Sequence, residues 1–445
     1  MPTDPTRLRK LIAARRFEDV GRRLREASAA DLAAIPTPAL LEYLESLPDA
    51  PPRTIPEGLL EDLRRRRPTE ADLAIKVARR MILAGLAEDA RLVIDGALEA
   101  AEQKASLALK WIVSLLGLGI PAEARAQLAT VSARYLGPLS VEHAAAQIDL
   151  EEQKFDAAVA RLEPIVRRHP ELTSFQATID RARTCSSIVA RFATARQAPR
   201  RPPDYAVFAV NLDEQAERFR RLKAQFPSDR HALIRIPGVK GRYLPDAIAA
   251  QLAGPRAPMQ KGTLGCFLAH VAGWERFRAS AFDHALFVED DVKVAMDLPP
   301  SMAALDLPPD YDLCFAGYGT EPPPPPVPTG FLHVVSVADM VAAMSRGLDT
   351  PGTYGYFISR RGADKLLGKV VRDGYAGDID WRLIAYSIGM ADHDRLSPDC
   401  LASIHLKHHR AYMETRPSIT GYCLHPALFT PGHIGSTRMA DNIQR

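Results

Sequence analysis

Cysteine is scarce in this chain and scattered: five residues, at positions 185, 266, 314, 400 and 423, in a sequence of 445. The count is odd and no two stand in a CxxC pair, which argues against a disulfide framework and against a structural zinc site. Reduced thiols in a cytoplasmic protein are the expectation. Long apolar runs are missing too. None approaches the ~20 residues that span a bilayer, and Met1 to Lys10 is polar, without the apolar core of a secretory signal. The expectation is a protein with no transmembrane segment that stays in the compartment where it is made, with peripheral contact at the inner membrane left open. A strong charge of either sign is also absent. Net charge is +3, which gives no reason to expect nucleic acid as a partner. The local run Arg64-Arg65-Arg66-Arg67 reads as a solvated helix end.

Aromatic residues and glycines are sparse in the first 200 residues, seven of each, whereas the remainder holds 23 aromatics and 20 glycines. The first part is rich in Ala, Leu, Arg and Glu with helical periodicity. The second has β-branched and aromatic runs such as Tyr205 to Val210, and many turn residues. A chain of this length is expected to form more than one domain. The Pro-rich, basic segment 197–203 reads as a linker between an all-α domain, 1–196, and a second domain, 204–445.

The first part repeats. Ala90, Ala124 and Ala158 lie 34 residues apart. Ile94, Leu128 and Leu162 follow one helical turn later, and Ala78, Ile112 and Ala146 precede in phase, as do Ile82, Leu116 and Leu150. Turn-like joints recur at Gly85-Leu86, Gly119-Ile120 and Lys154-Phe155. A helix–turn–helix of this period resembles the tetratricopeptide repeat, most clearly over 71–170. Small alanines would let paired helices approach, with Leu and Ile filling the gaps between hairpins. Such a repeat domain implies a protein partner or self-association. Arg7 to Arg67 reads as divergent repeats or a cap.

In the second part strands alternate with helices. Tyr205 to Leu212 reads as a buried strand, Glu214 to Phe226 as a helix, His231 to Ile236 as a strand, Leu264 to Ser280 as a helix, and Ala285 to Val288 as a short strand running into Glu289-Asp290-Asp291. That order argues for an α/β sandwich with a mainly parallel sheet. Ligands bind such sheets at the carboxyl ends of their strands. Three acids there repel one another unless a cation neutralises them, and oxygen ligands suit Mg²⁺ or Mn²⁺. A solvated acidic turn is the other reading. Glu321 to Pro328, with five consecutive prolines, reads as a stiff surface loop. Gly421 to Arg445 reads as a loop able to close over a bound ligand.

Several blocks in one order resemble glycosyltransferase family 25, the lipopolysaccharide-biosynthesis and collagen-galactosyltransferase type. They are Val210-Asn211-Leu212-Asp213 with Arg218; Val239-Lys240-Gly241-Arg242-Tyr243-Leu244; Gly265-Cys266-Phe267-Leu268-Ala269-His270 with Trp274-Glu275; Leu286 to Asp291; Tyr311-Asp312-Leu313; Thr353 to Ala363; and Asp378-Ile379-Asp380-Trp381. Two positions depart from the family pattern: Lys240 stands where Asp is usual, and Ala269 where Ser is usual.

The resemblance implies a GT-A-like, Rossmann-type α/β domain that transfers a hexose from a nucleotide-sugar donor, expected to be UDP-linked. The acceptor would be a glycan, glycolipid or protein-linked group, and the expected outcome is inversion at the anomeric carbon. Asp291 is implied as first metal ligand, with Glu289 beside it. Asn211, Asp213, Arg218, Gly241, His270, Glu289 and Asp290 are implied on the donor side. Single displacement needs one general base. Asp380, expected just before a helix from Trp381 to Ile388, is the first candidate and Asp378 the second; a helix cap is the alternative role for Asp380. His405, His408 and His409 are late candidates to complete a metal shell, or face solvent or phosphate. A repeat-based scaffold with a degenerate transferase domain is the competing function, and Lys240 is the feature that favours it.

Overall fold

The computed structural model describes residues 71–83, 86–197, 204–227, 231–253, 260–299, 301–318, 333–343, 351–375, 377–396, 398–402 and 404–431. The readings made on 1–67, on 198–203 of the linker and on the proline run lie outside these residues, as does the part of the C-terminal loop beyond 431. The chain divides into two compact units, with the division between Ala182 and Arg183. No helix among the described residues is long and apolar enough to cross a membrane.

The first unit is wholly helical among its described residues. Its helices are α1 (Ala71–Leu83), α2 (Ala87–Ala100), α3 (Lys104–Gly117), α4 (Pro121–Tyr135), α5 (Pro138–Glu151), α6 (Phe155–Arg168) and the first part of α7 (Thr173–Gln197). The second helices of the hairpins begin at Ala87, Pro121 and Phe155, in step with the 34-residue period of the sequence. Ala90, Ala124 and Ala158 are all fully buried, as are Ala78, Ile112 and Ala146. They stand where α1 packs on α2, α3 on α4 and α5 on α6. The turn between α3 and α4 needs a left-handed residue and has Gly119 at φ 71°; the equivalent turn between α5 and α6 has Gln153 at φ 59°. A polar clamp joins three helices. Buried Asp149 on α5 accepts from Arg125 on α4 at 2.7 Å and from Arg161 on α6 at 3.1 Å.

The second unit is built on a seven-stranded sheet. Its strands are β1 (Tyr205–Asn211), β2 (Ala232–Pro237), β3 (His284–Glu289), β5 (Leu313–Phe315), β6 (His333–Ser336), β7 (Gly355–Ser359) and β8 (Gly421–His425), in spatial order β2-β1-β3-β7-β5-β8-β6. A separate pair joins β4 (Val292–Val294) to β9 (Phe429–Pro431). The sheet is mixed rather than mainly parallel. β2, β1 and β3 run together, but β7 enters antiparallel between β3 and β5, and β6 runs antiparallel to β8. The reason lies in β7: it is buried at every position, which suits the centre of the sheet, and its antiparallel pairing with both β3 and β5 breaks the parallel run. Gly421 to His425 is likewise a strand, not a loop. Its Cys423 and Leu424 are fully buried between β5 and β6.

Helices of this unit include α8 (Ala216–Ala224), α9 (Asp246–Ala253), α10 (Lys261–Arg278), α11 (Val337–Ala343), α12 (Arg360–Asp373) and α13 (Ile379–Ser387). The core under α10 is aromatic. Phe208 stacks on Phe287 with ring centres 5.1 Å apart, and Phe287 on Tyr356 at 5.4 Å. Adjacent positions on the other face of β1 and β3, such as Val207 and Leu286, are fully buried as well. Burial on both faces explains why these strands read as continuous apolar runs rather than alternating ones. Asp312, fully buried, ties β5 to α12 through Arg361 at 2.7 Å and Lys365 at 2.5 Å.

Candidate active site

The carboxyl ends of β1 and β3 lie side by side, because Val210 pairs with Glu289 in parallel register. Asn211 closes β1, and Glu289 closes β3. Asp290 and Asp291 form the turn into β4, whose pairing with β9 anchors the backbone just beyond the acids. Since β7 runs antiparallel, its start, Gly355 beside Val288, comes to the same edge. The preceding residues Gly352 to Tyr354 are thereby delivered to the acids.

Asp290 is the hub of the β1 side. The Asn211 amide donates to one oxygen of Asp290 at 2.7 Å, and Arg218 on α8 lies 3.6 Å from the other. Arg218 is 3% exposed, so its charge acts with little screening by water. Burial raises the Asp290 carboxyl above its ordinary range, and Arg218 and Asn211 offset part of that rise. Arg235 on β2, which sequence reasoning missed, holds the loop in place: it donates to the Asn211 side-chain oxygen at 2.7 Å and pairs with Asp213 at 2.5 Å. The only signal for it was a lone charge within an apolar strand.

Asp291 lies deepest in charge terms. Its Oδ1 is buried and meets no hydrogen-bond donor among the described residues. Burial, then the neighbouring Glu289 and Asp290 charges, push the carboxyl up to about 7. A buried carboxylate oxygen without a partner is costly and calls for a cation or a proton.

Glu289 and Asp380 meet on Thr353. The Thr353 hydroxyl is 2.5 Å from Glu289 Oε1 and 2.6 Å from Asp380 Oδ1, and the Thr353 backbone N–H donates to the same Asp380 oxygen at 2.6 Å. Asp380 sits inside the first turn of α13, not before it, since the helix begins at Ile379. Asp378 occupies the N-cap position but makes no side-chain cap hydrogen bond. The earlier start follows from burial: Ile379 is 1% exposed and packs into the core.

His270, fully buried on α10, faces Glu289 from below. The Trp274 indole N–H donates to the Tyr356 hydroxyl at 2.8 Å, and His270 Nδ1 is hydrogen-bonded to the same hydroxyl at 2.9 Å. His270 Nε2 stands 3.6 Å from Glu289 Oε1, too long for a hydrogen bond.

Gly241 is a packing glycine. A Cβ there would overlap the Lys261 carbonyl, and one at Gly265 would overlap the Val239 carbonyl. Together they let the loop after β2 lie against the start of α10. Lys240 is neutralised by Glu214 at 2.5 Å and lies over the exposed Tyr243 ring. Of the late histidines, His408 is exposed, and His409 is buried against Gly377 and the Tyr412 ring.

With this geometry in view, residues 205–312 match the family model described as glycosyltransferase family 25 (LPS biosynthesis protein). That stretch carries β1, Arg218, His270 and the three acids; Thr353 and Asp380 lie beyond it. The chain is also similar to procollagen galactosyltransferase 1 of Danio rerio, at 28% identity over 182 residues. The similarity covers 36% of this chain and spans 28% of that protein's length. The resemblance read from the sequence motifs is borne out by both.

Proposed function

We propose that this protein is a glycosyltransferase whose second unit transfers a hexose from a UDP-type nucleotide sugar to a glycan, glycolipid or protein-linked hydroxyl. The observation that carries the reading is the buried, partnerless Asp291 Oδ1 at the carboxyl edge of β3, inside the stretch that matches a glycosyltransferase family. A hard cation suits this donor set: carboxylate oxygens only, one of them orphaned, with Asp291 and Glu289 to hold it. When bound, Mn²⁺ or Mg²⁺ supplies positive charge where a departing diphosphate develops negative charge.

The rest falls to the chain's own residues. Asn211 and Arg218, fixed through Asp290, shape the nucleotide side, and Arg235 keeps Asn211 and Asp213 in register with it. Arg218 adds a buried positive charge facing the same edge. On the acceptor side Asp380 takes the proton of the attacking hydroxyl, and Thr353 holds its Oδ1 in place through two donors. With Asp380 as the one base, the reaction is a single, inverting displacement. The helical repeats hold the acceptor or a partner protein. Lys240, paired with Glu214, is read as a change of donor preference.

A donor panel tests the reading. Full-length protein with Mn²⁺ and a set of nucleotide sugars is expected to release nucleotide from one or two of them, and to lose that release with Asp291→Ala. Absence of turnover with every donor and a range of acceptor glycans would leave the scaffold reading in its place.

A further inference from the structure

A second group of potential metal ligands adjoins Glu289. Cys266 and His270 are four residues apart on α10, so both project from one face of the helix, toward the end of β3. One ligand atom from each of Cys266, His270 and Glu289 lies within 4.8 Å of the other two. His270 Nε2 and Glu289 Oε1 are 3.6 Å apart. Zinc–nitrogen and zinc–oxygen bonds of about 2.1 Å at a tetrahedral angle need about 3.4 Å between those two atoms. The second, independent sign is His270 itself: the side chain is fully buried, and Nε2 has no hydrogen-bond partner among the described residues. Cys266 forms no disulfide and is half-buried, so the cluster is reachable from solvent.

We propose that Cys266, His270 and Glu289 form a binding site for a soft divalent cation, Zn²⁺ in type, distinct in chemistry from the all-oxygen turn at Asp291. Sulfur and imidazole select zinc over magnesium or manganese. Binding expels the thiol proton to solvent, and Cys266 coordinates as thiolate. The His270 ring stays neutral. With Nε2 as the ligand atom the ring proton sits on Nδ1, where the Tyr356 oxygen accepts it. The three protein ligands leave a fourth position for water. Glu289 is also assigned, with Asp291, to hold the cation at the acidic turn, so filling this site withdraws it from that role. The site is therefore inhibitory, a consequence that rests on the transferase reading, whereas the binding itself does not.

The test uses the full chain, stripped of metal and titrated with Co²⁺ as a spectroscopic probe of zinc sites. The expected result is one equivalent bound with a near-ultraviolet thiolate-to-cobalt band and intense visible tetrahedral bands, displaced by Zn²⁺. Cys266→Ser and Cys266→Ala lose the near-ultraviolet band while keeping the circular dichroism and melting curve of the parent. Asp291→Asn keeps it. A wild-type spectrum with only weak octahedral bands overturns the proposal, as does a thiolate band that survives in both Cys266 variants. In the transferase assay with saturating Mn²⁺, added Zn²⁺ slows the parent and leaves Cys266→Ser unaffected; equal inhibition of both assigns zinc to the acidic turn and overturns the inhibitory role.

Discussion

Glu289, at the end of β3, and Asp380, in the first turn of α13, share one hydroxyl: that of Thr353, 2.5 Å from the first and 2.6 Å from the second. A hydroxyl has a single proton, so it donates to one carboxylate at a time. The proposed metal side and the proposed base are thus joined by one atom. Whatever draws Glu289 away frees the hydroxyl for Asp380.

Asp380→Asn keeps the shape of the side chain and removes its ability to take a proton. Transfer to acceptor is expected to fall by about 10²–10⁴-fold, on the order of 3–5 kcal/mol in the barrier. Calorimetry with the nucleotide sugar should show nearly unchanged affinity, because the base touches the acceptor. Transfer at the parent rate moves the role to Asp378.

Thr353→Ser retains the hydroxyl and Thr353→Val does not. The valine variant is expected to lose kcat with little change in the donor KM, since the base loses one of its two donors at this residue while the backbone N–H remains. The serine variant should recover most of the rate. Equal losses in both variants point to packing around the methyl group instead.

The Asp291 carboxyl is raised to about 7 by burial and by its acidic neighbours. Its charge therefore costs stability. The cost is absent below the ordinary carboxylate range, grows as pH rises, and is complete above about 7. Asp291→Asn should melt higher than the parent at pH 8 without metal, by a few degrees on the order of 2–4 °C per kcal/mol. The gap should close as pH falls toward 4. Saturating Mn²⁺ should raise the parent's melting point and leave the variant's in place. A variant that melts lower than the parent at pH 8 contradicts the assignment.

In the helical unit, Gln153 holds φ 59° where the preceding hairpin uses Gly119. A left-handed side-chain residue costs roughly 1–2 kcal/mol, part of which glycine returns through the entropy of the unfolded chain. Gln153→Gly is expected to raise stability by about 0.5–1 kcal/mol in urea unfolding followed by helical circular dichroism. Gly119→Ala should lower it.

Much of this was legible from sequence where one residue type dictates one local outcome. The period of alanines gave the helical hairpins, since close helix pairs require small side chains at fixed spacing. The apolar run into Glu289 gave β3 and its carboxyl end. Asn211, Arg218 and Asp290 meet at one edge of the sheet, and His270 lies beside Glu289. What sequence did not carry were contacts fixed by strand order. Nothing in Gly355 to Ser359 says that it inserts antiparallel beside β3, so Thr353 could not be seen against Glu289. Arg235 was invisible for the same reason: its partners, Asn211 and Asp213, lie on the neighbouring strand's end. The start of α13 was misplaced because Ile379, read as part of the approach, is a core residue.

The most direct test of the account is nucleotide release from a UDP-sugar panel by the parent and by Asp291→Ala, each with Mn²⁺ and with excess EDTA. The account predicts release by the parent in Mn²⁺, none in EDTA, and none from the variant under either condition, with the variant's fold intact by circular dichroism. Full release by the parent in EDTA, or by Asp291→Ala, contradicts it.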